Sequence, residues 1–391
     1  MRTGIEILFS EKRKHLEGRR IGLIVNPTSV NARLEFTVDL WAADPALRLV
    51  RLFGPEHGVR GDLQDMVAVE DQVDARTGLP VVSLYGEDET SLKPAPEHLE
   101  DLDVLVFDIQ DIGTRYYTFV YTLAHCMEAA GEADIPLIVC DRPNPITGTR
   151  VEGNLLDPAF SSFVGRYPLP IRHGMTVGEL ARYFQAHCGV ACDLVVIEME
   201  GWRRTMWYDE TGLPWVQPSP NMPTLETALL YPGMCLVEGT NVSEGRGTTR
   251  PFHLVGAPWV DPHALAHALN AEDLPGVRWR PAWFTPMFHK HAGTRCAGVE
   301  THVMDRDVFK PVLAGLALLK HLRRLHPDTF RWRTDPYEFV SDRLAIDLLG
   351  GGPGIRQGVE LDIPLEDFEA TWAPDLEPFL EHRSGCLLYA E

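Results

Sequence analysis

The stretch VLVFDIQD at residues 104–111 decides the fold. Its first residues are apolar and rich in β-branched side chains, which predicts a strand buried on both faces, and Gln110 and Asp111 mark the turn where that strand ends. Similar runs recur at residues 21–25, 47–53, 80–84, 137–140 and 194–198. Helical patterns lie between them at residues 116–130 and 176–186, the second opening with the capping-box spacing of Thr176 and Glu179. The pattern predicts an α/β fold with a Rossmann-like parallel sheet.

The second part of the chain has a different pattern. Gly, Pro, Asn and Thr are frequent in residues 217–224 and 238–250, which predicts long structured loops, and such loops inside a compact protein are usually functional. Helices are predicted near residues 263–269, 308–325 and 365–381, and a strand at residues 297–304. We therefore expect a domain of residues 1–230 with the parallel sheet, followed by a smaller α+β domain of residues 231–391.

Composition excludes several classes of protein. The chain has 391 residues, of which 45% are hydrophobic and 24% charged, as in a soluble globular enzyme. Its formal net charge of −20 would repel phosphate backbones, so we expect no nucleic acid partner. No apolar run reaches the ~18 residues of a spanning helix, so we expect no membrane insertion. The 7 cysteines are odd in number and include no C-x-x-C pair, which favours reduced thiols.

The first residues, MRTGIEILFSEKRK, become charged after a short apolar patch and lack the apolar region of a signal peptide. We therefore expect a cytoplasmic protein, or an exported one if the start is truncated. Nothing in the pattern predicts an oligomeric state.

Polar residues follow the predicted strands of the sheet. In an open parallel sheet, ligands bind beyond the carboxyl ends of the strands, so these residues are candidates for substrate binding. They are Asn26 after the first strand, Glu56 and His57 after the second, Tyr85 after the third, Gln110 and Asp111 after the fourth, and Asp141, Arg142 and Asn144 after the fifth. Their functional groups would suit a hydroxyl-rich ligand. For Asp111 and Asp141, capping of the following helix is the alternative.

Glu56 is the strongest catalytic candidate. It lies in the turn from Gly54 to Gly58, where no amphipathic helix follows at once. His57 either takes part in catalysis or orients Glu56, and Tyr85 is either a functional phenol or a packing aromatic.

Amide, hydroxyl and charged side chains also crowd the two long loops. Asn221 lies in the first loop, and Asn241, Ser243, Glu244 and Arg246 lie in the second. Amides and guanidinium groups bind sugar hydroxyls, N-acetyl carbonyls and carboxylates, and turn formation is the alternative for each residue. A further candidate for substrate binding is His173, which precedes the helix predicted at residues 176–186.

The sequence contains no complete nucleotide-binding or metal-binding motif. The run GRGTTR at residues 245–250 lacks the third glycine of a dinucleotide fingerprint, and no G-x-x-x-x-G-K-[ST] loop occurs. The residues whose side chains could in principle ligate a metal are His57, Asp108, Asp111, Asp141 and His173. No H-E-x-x-H motif or H-x-H spacing on a strand supports them, and His289 and His291 flank Lys290, whose charge opposes a cation. We expect neither a metal nor a cofactor.

Several sequence blocks, occurring in order, together resemble a known family. They are GPEHG (54–58), FDIQDIG (107–113), DRPNP (141–145), HGMT (173–176), PSPNMPT (218–224) and EGTNVSEGRGTT (238–249). These blocks look like the signatures of the exo-β-N-acetylmuramidases of NamZ type, and the resemblance spans nearly the whole chain. It implies a Rossmann-like domain and a smaller C-terminal domain with the cleft between them, in agreement with the pattern of strands and helices.

The resemblance also implies an activity. Members of this family hydrolyse the β-1,4 bond that holds N-acetylmuramic acid at the non-reducing end of peptidoglycan fragments, so the expected partner is a peptidoglycan-derived saccharide or muropeptide. The glutamate of the GPEHG block is the favoured catalytic acid of the family and corresponds to Glu56. The tyrosine after the third strand corresponds to Tyr85. The second catalytic group is not assigned by the resemblance.

Two functions of other classes stay open at this point. One is a non-catalytic protein that binds amino sugars or muropeptides; the other is a metal-assisted hydrolase or deacetylase that uses His57, Asp108 and His173. A muramidase must also bind the 3-O-lactyl carboxylate that distinguishes muramic acid, and in a protein of net charge −20 we expect an arginine to do so. The candidates are Arg60, Arg115, Arg142, Arg246 and Arg250.

Overall fold

The computed structural model describes residues 1–61 and 72–391. The strands are β1 (Arg20–Val25), β2 (Arg48–Gly54), β3 (Gln72–Val73), β4 (Pro80–Ser83), β5 (Val104–Asp108), β6 (Leu137–Cys140), β7 (Glu152–Leu155), β8 (Pro170–Arg172), β9 (Leu194–Ile197), β10 (Leu254–Ala257), β11 (Val277–Phe284) and β12 (Cys296–Val303). The α-helices are α1 (Gly4–Ser10), α2 (Thr37–Ala42), α3 (Phe119–Glu132), α4 (Val177–His187), α5 (Leu225–Met234), α6 (Pro262–Ala271), α7 (Pro311–Leu325), α8 (Ala345–Gly350), α9 (Gly354–Glu360) and α10 (Leu365–Ser384).

The central sheet has seven strands in the order β3-β4-β2-β1-β5-β6-β9. Neighbouring strands are parallel, except that β3 is antiparallel to β4. All residues of β5 are buried, and its apolar run at residues 104–107 fits a strand whose two faces are both covered. The predicted α/β fold with a parallel sheet is confirmed. The two-residue strand β3 is too short to leave a recognisable pattern in the sequence.

Two hydrophobic cores lie on the two faces of this sheet. The smaller core joins α1 and α2 to the sheet through residues such as Leu8, Trp41 and Leu23. The larger core contains residues of α3 and α4 and continues without interruption into α5 to α10. The two parts of the chain therefore share one core, and the expected boundary between residues 230 and 231 falls inside α5. The division of the chain at that point stays a prediction.

The C-terminal part contains a three-stranded antiparallel sheet in the order β10-β12-β11 and the helices α6 to α10. The strand and helices predicted in this region correspond to β12, α6, α7 and α10. Buried and exposed residues alternate along much of β11, as in a strand with one solvated face, although this strand was not among those predicted. In the described residues, no helix combines the length and the apolar character needed to cross a membrane.

Helix α3 begins later than the sequence pattern predicts. The pattern places its start at residue 116, whereas the helix begins at Phe119, with Thr118 as the residue before it. The preceding backbone is tied to β8, because the amide of Arg115 donates to the carbonyl of Ile171 at 2.8 Å. The segment of residues 116–118 is thereby held outside the helix, at the carboxyl end of the sheet.

Candidate active site

A pocket lies at the carboxyl ends of the central strands, between the sheet and the C-terminal part of the chain. The wall comes from the turn after β2, the segment that leads into α3, the loop before α5, and several segments of the C-terminal part. The lining residues are Glu56, His57, Tyr116, Tyr117, Thr118, Phe119, Val164, Ser219, Asn221, Met222, Tyr231, Glu238, Arg246, Phe252, Tyr337 and Glu338.

The turn after β2 places an acid in this pocket. His57 and Gly58 have positive φ angles of 72° and 78°, and the amide of Gly58 donates to the carbonyl of Pro55 at 2.9 Å. Glycine adopts this conformation without strain, whereas His57 adopts it only because the tight turn holds it there. Glu56 and His57 are each only 6% exposed. The block GPEHG thus forms a turn that presents a buried carboxyl group to the pocket.

The start of α3 provides polar partners for this acid. The hydroxyl of Thr118 donates to Oε2 of Glu56 at 3.0 Å. Burial raises the pKa of the neighbouring Tyr117 phenol far above its ordinary value, and the negative charges of Glu56 and Asp111 raise it further. Tyr117 is therefore a neutral phenol over the whole working pH range.

The opposite part of the wall carries a buried ion pair. The guanidinium of Arg246 donates to Oε1 of Glu238 at 2.7 Å, and the phenol of Tyr337 donates to Oε2 of the same carboxylate at 2.8 Å. The guanidinium also lies over the ring of Phe252, 5.2 Å from its centroid. Arg246 thus stands in the pocket as a positioned cation beside a negative charge.

Glu244 anchors the loop that carries Arg246. It is fully buried, with Lys290 Nζ at 3.0 Å, His289 Nδ1 at 3.3 Å and Arg246 Nε at 3.5 Å from its carboxylate oxygens. Burial acts to raise the pKa of Glu244, but the positive charge of Lys290, the His289 hydrogen bond and Arg246 outweigh it and hold that pKa well below its ordinary value. Glu244 is a permanent anion that orders the loop and does not line the pocket.

A second carboxylate from a distant part of the chain reaches the wall. Glu338 is 6% exposed, and its Oε2 accepts a hydrogen bond of 3.0 Å from the phenol of Tyr85. Tyr85 does not line the pocket, but it hydrogen-bonds to Glu338, which does. Sequence reasoning missed Glu338, Tyr337, Tyr117 and Thr118, because none of them belongs to a recognised block or follows a predicted strand directly.

The structure brings several predicted site residues together. Glu56, His57, Asn221 and Arg246 line one pocket, and Tyr85 supports it from behind. The remaining candidates do not line this pocket and form hydrogen bonds or ion pairs with nearby backbone and side-chain groups. The expectation that all strand-end groups converge on one pocket is corrected accordingly.

The residues after β1 and β5 form bonds among themselves. Oδ1 of Asn26 accepts hydrogen bonds from the amide and hydroxyl of Thr28 at 3.0 and 2.5 Å. The side-chain amide of Gln110 donates to the carbonyl of Asp111 at 2.6 Å and to that of Pro143 at 2.7 Å. Oδ1 of Asn26 and the side-chain nitrogen of Gln110 therefore hold the backbone at the sheet edge.

Asp111 and His173 form a buried pair outside the pocket. Nε2 of His173 lies 3.3 Å from Oδ2 of Asp111, which also accepts from the amide of Gly113 at 2.7 Å. Nδ1 of His173 accepts from the amide of Met175 at 3.2 Å, which assigns the proton of a neutral ring to Nε2.

The DRPNP block after β6 is also structural. Asp141 is fully buried and accepts from the amide of Gly178 at 2.8 Å and from the phenol of Tyr389 at 2.5 Å. Burial raises the pKa of Asp141 to about 7, although the Tyr389 hydrogen bond acts in the other direction. Arg142 pairs with Asp108 at 2.7 Å. Asn144 completes the set by donating to a backbone carbonyl at 2.9 Å.

Four of the arginine candidates lie away from the pocket. Arg60 pairs with Asp74 at 2.8 Å, and Arg142 pairs with Asp108 as described. Arg115 is fully buried and donates to backbone carbonyls, including that of Leu349 at 2.9 Å. Arg250 lies beside His253 Nδ1 at 2.9 Å. Only Arg246 among these candidates stands on the wall of the pocket.

Asn241 and Ser243 hold the loop of residues 238–250 in place. Asn241 donates to the carbonyl of Thr329 at 2.9 Å and accepts from the amide of Arg331 at 3.0 Å. The hydroxyl of Ser243 accepts from the amide of Gly245 at 3.1 Å. Within residues 1–61 and 72–391, no group of three or more His, Cys, Asp or Glu side chains is arranged to hold a metal ion.

Comparison with known proteins agrees with this geometry. The sequence profile of the N-terminal domain of exo-β-N-acetylmuramidase NamZ matches residues 21–226, and that of the C-terminal domain matches residues 229–389. The chain is 47% identical over 389 residues to the peptidoglycan β-N-acetylmuramidase NamZ of Bacillus subtilis (strain 168), covering 100% of this chain and 91% of that protein.

Solved structures show the same fold. A DUF1343 family protein from Bacteroides fragilis NCTC 9343 superposes with a TM-score of 0.88 at 38% identity, covering 99% of this chain and 98% of that one. A second DUF1343 family protein from the same organism gives a TM-score of 0.77 at 29% identity, with 100% and 99% of the two chains covered. The resemblance seen in the sequence blocks is confirmed: the chain belongs to the exo-β-N-acetylmuramidase NamZ family.

Proposed function

We propose that this protein is an exo-acting β-N-acetylmuramidase that cleaves N-acetylmuramic acid from the non-reducing end of peptidoglycan fragments. Membership of the NamZ family supports this activity. The observation that carries it is the buried carboxyl of Glu56 in a pocket at the carboxyl ends of the strands, with the Thr118 hydroxyl 3.0 Å from Oε2.

Glu56 is the general acid of this reaction. A glycosidic oxygen is a poor leaving group, so a carboxylic acid must protonate it while positive charge develops on the sugar ring. Burial favours the protonated form of such a carboxyl, and the turn after β2 holds it at a fixed place in the pocket. His57, the next residue in that turn, supports the position of Glu56.

The pocket also suits the apolar faces of a sugar ring. Aromatic side chains line it in a connected group: the ring centroids of Tyr117 and Phe119 lie 5.0 Å apart, those of Tyr117 and Tyr231 5.7 Å, and those of Tyr231 and Phe252 4.8 Å. Amide and guanidinium groups of Asn221 and Arg246 stand on the same wall for the N-acetyl and lactyl substituents. The proposed substrate is therefore a saccharide or muropeptide ending in N-acetylmuramic acid.

The test uses a chromogenic β-N-acetylmuraminide and a disaccharide of N-acetylmuramic acid linked to N-acetylglucosamine. We expect the wild-type protein to release N-acetylmuramic acid from both. Glu56→Gln is expected to lose about 10²–10⁴-fold in kcat on the disaccharide, because the acid can no longer donate a proton. Glu97→Gln, a change at an exposed glutamate, is the matched control and should keep full activity.

Each alternative function has its own outcome in this test. A protein that only binds amino sugars would release no colour from the chromogenic substrate. A metal-assisted hydrolase would lose its activity after dialysis against a chelator, whereas a carboxylate-based glycosidase would keep it. Full activity of Glu56→Gln on the disaccharide would contradict the assignment of the acid.

A further inference from the structure

The turn that carries Glu338 has a backbone conformation that is rare for its residues. Tyr337 and Val340 exchange backbone hydrogen bonds of 2.9 and 3.0 Å, so Glu338 and Phe339 form the two-residue tip of a hairpin. Both tip residues have positive φ angles, of 46° and 67°. Hairpins of this geometry normally use Asn and Gly at these positions. Such strain persists where the surrounding structure holds it, and it is common at active sites.

This hairpin buries a carboxylate in the pocket that holds Glu56. Glu338 lines the pocket together with Glu56, although the two belong to different parts of the chain. The phenol of Tyr85 donates to Oε2 of Glu338 at 3.0 Å. The ring of Tyr85 is itself fixed by Phe163 and Phe339, with centroids 5.7 and 5.6 Å away. Both the orientation of the carboxylate and the position of its donor are therefore set before substrate arrives.

Glu238, a further carboxylate of the wall, has a different setting. It forms an ion pair with Arg246 at 2.7 Å through Oε1 and accepts from Tyr337 at 2.8 Å through Oε2, so both of its carboxylate oxygens are engaged. Glu238 is therefore engaged in positioning Arg246. The bond from Tyr85 to Glu338 orients a carboxylate without adding a positive charge.

We propose that Glu338 is the second catalytic carboxylate of this pocket and that Tyr85 is its positioning residue, an inference that rests on the proposed function. Glu338 accepts a proton from a water molecule whose oxygen forms a bond to the anomeric carbon. The bond from that carbon to the glycosidic oxygen breaks, and Glu56 gives its proton to the leaving oxygen. One water is consumed, and the two carboxyl groups return to their starting states by exchanging protons with solvent. Direct attack by water inverts the anomeric carbon, so the first sugar released is the α-anomer.

The experiment compares the wild type with Glu338→Gln, Glu338→Gly and Tyr85→Phe on the two substrates named above. Glu338→Gln is expected to lose about 10²–10⁴-fold in kcat with little change in KM. Tyr85→Phe is expected to lose about tenfold in kcat, and the acidic limb of its pH profile should move to higher pH because a donor to the charged carboxylate is gone. NMR of the wild-type reaction should show the α-anomer first.

Glu338→Gly separates catalysis from folding. Glycine adopts positive φ without strain, so this variant should have a higher thermal midpoint than the wild type while its activity falls. Added azide should restore colour release from the chromogenic substrate. Azide attacks the anomeric carbon from the face where the side chain of Glu338 stood in the wild type, so the product is the α-glycosyl azide. Asp134→Gly is the matched control: this exposed residue also has positive φ, of 53°, and its replacement should raise stability and leave activity unchanged.

The outcomes distinguish this inference from the proposed function. If the wild type releases N-acetylmuramic acid but Glu338→Gln keeps near wild-type turnover, or if the β-anomer appears first, Glu338 is not the base and only the inference is overturned. If the wild type is inactive on both substrates, the proposed function itself is wrong.

Discussion

The hydroxyl of Thr118 donates a hydrogen bond of 3.0 Å to Oε2 of Glu56 and so joins the start of α3 to the turn after β2. The two residues are 62 positions apart in the sequence, and Thr118 immediately precedes the first residue of α3. A hydrogen bond to a carboxylate favours its charged form, so this contact tunes how readily Glu56 holds a proton.

Thr118→Val is expected to move the alkaline limb of the profile of kcat/KM against pH to higher pH by about one unit, since a hydrogen bond to a charged group contributes about 1.5 kcal/mol. Without the donor, the carboxyl keeps its proton to higher pH and remains a competent acid. Thr122→Val is the matched control on the same helix, because in the described part of the chain the Thr122 hydroxyl is buried without a hydrogen-bond partner. An equal shift in both variants would contradict the role of the Thr118 contact.

Arg246→Met is expected to narrow the preference for muraminides over glucosaminides. Loss of a charge-assisted pair with the lactyl carboxylate should cost about 1.5–3 kcal/mol, or roughly tenfold to 150-fold in kcat/KM for the muraminide alone. Because Arg246 also pairs with Glu238 and Glu244, Arg246→Lys is measured beside it as a variant that keeps the charge.

The controls for this prediction are Arg60→Met and Arg250→Met. Both arginines lie outside the pocket, with side chains 41% and 42% exposed and ion-paired to other acids. Both variants should keep the wild-type ratio of kcat/KM between the two substrates. An unchanged ratio in Arg246→Met would show that another group recognises the lactyl carboxylate.

Two buried histidines should lower stability on acidification between about pH 6.5 and pH 4, whereas Asp141, whose pKa burial raises to about 7, takes up a proton in the folded state and opposes this loss. Burial lowers the pKa of His125 to about 4, and the positive charge of Arg166 lowers it further. Burial and the positive charge of Arg250 likewise lower the pKa of His253 to about 4. Unfolded histidines take up protons in this range while the folded ones do not, so the stabilisation is complete above pH 6.5 and is lost as pH falls towards 4. Each histidine contributes up to about 3 kcal/mol to this loss.

Urea unfolding at a series of pH values measures this slope. On acidification from pH 6.5 to pH 4, the double variant His125→Gln with His253→Gln should lose less stability than the wild type, even if its overall stability is lower. His263→Gln, a change at an exposed residue of α6, should leave the slope as in the wild type. A double variant with the wild-type slope would mean that other groups bind the protons.

Gly315→Ala is expected to destabilise the protein by about 3 kcal/mol and to lower activity. A Cβ at Gly315 would overlap the carbonyl of Gly233, and one at Gly233 would overlap the carbonyl of Pro311, so α5 and α7 pack at the closest approach that glycine permits. Helix α5 leads directly to Glu238 on the pocket wall, and a displaced α5 would move that residue.

The matched control is Gly354→Ala, at the first residue of α9, where an added Cβ meets nothing within 4 Å. Thermal unfolding should give a midpoint at or above that of the wild type for this variant and a clearly lower one for Gly315→Ala. Equal midpoints would contradict the close packing of α5 on α7.

The sequence by itself determined the parallel sheet, the ends of its strands and the turn that carries Glu56. Apolar runs such as residues 104–107 define a buried strand locally, and the alternation of such runs with helical patterns specifies the topology. Gly58, which the turn requires at positive φ, is likewise visible in the GPEHG block. The blocks also identified the family.

Only the tertiary structure decided which polar residues face the substrate pocket. Asp141, Arg142 and Asn144 follow a strand just as Glu56 does, yet their donors and acceptors are used by buried backbone and side-chain groups nearby. Buried polar groups must find partners, and the choice of partner depends on what the fold brings close and not on position along the chain. The sequence pattern therefore predicted too many binding residues at the sheet edge.

Contacts between distant parts of the chain also explain why the sequence did not predict some of the pocket residues. Glu338 and Tyr85 are 253 positions apart, and only the packing of the C-terminal part against the sheet brings the carboxylate to the phenol. The start of α3 at Phe119, and with it the place of Thr118, depends on the bond between Arg115 and β8. Local patterns determine strands and helices, whereas contacts across the chain determine which side chains meet in the pocket.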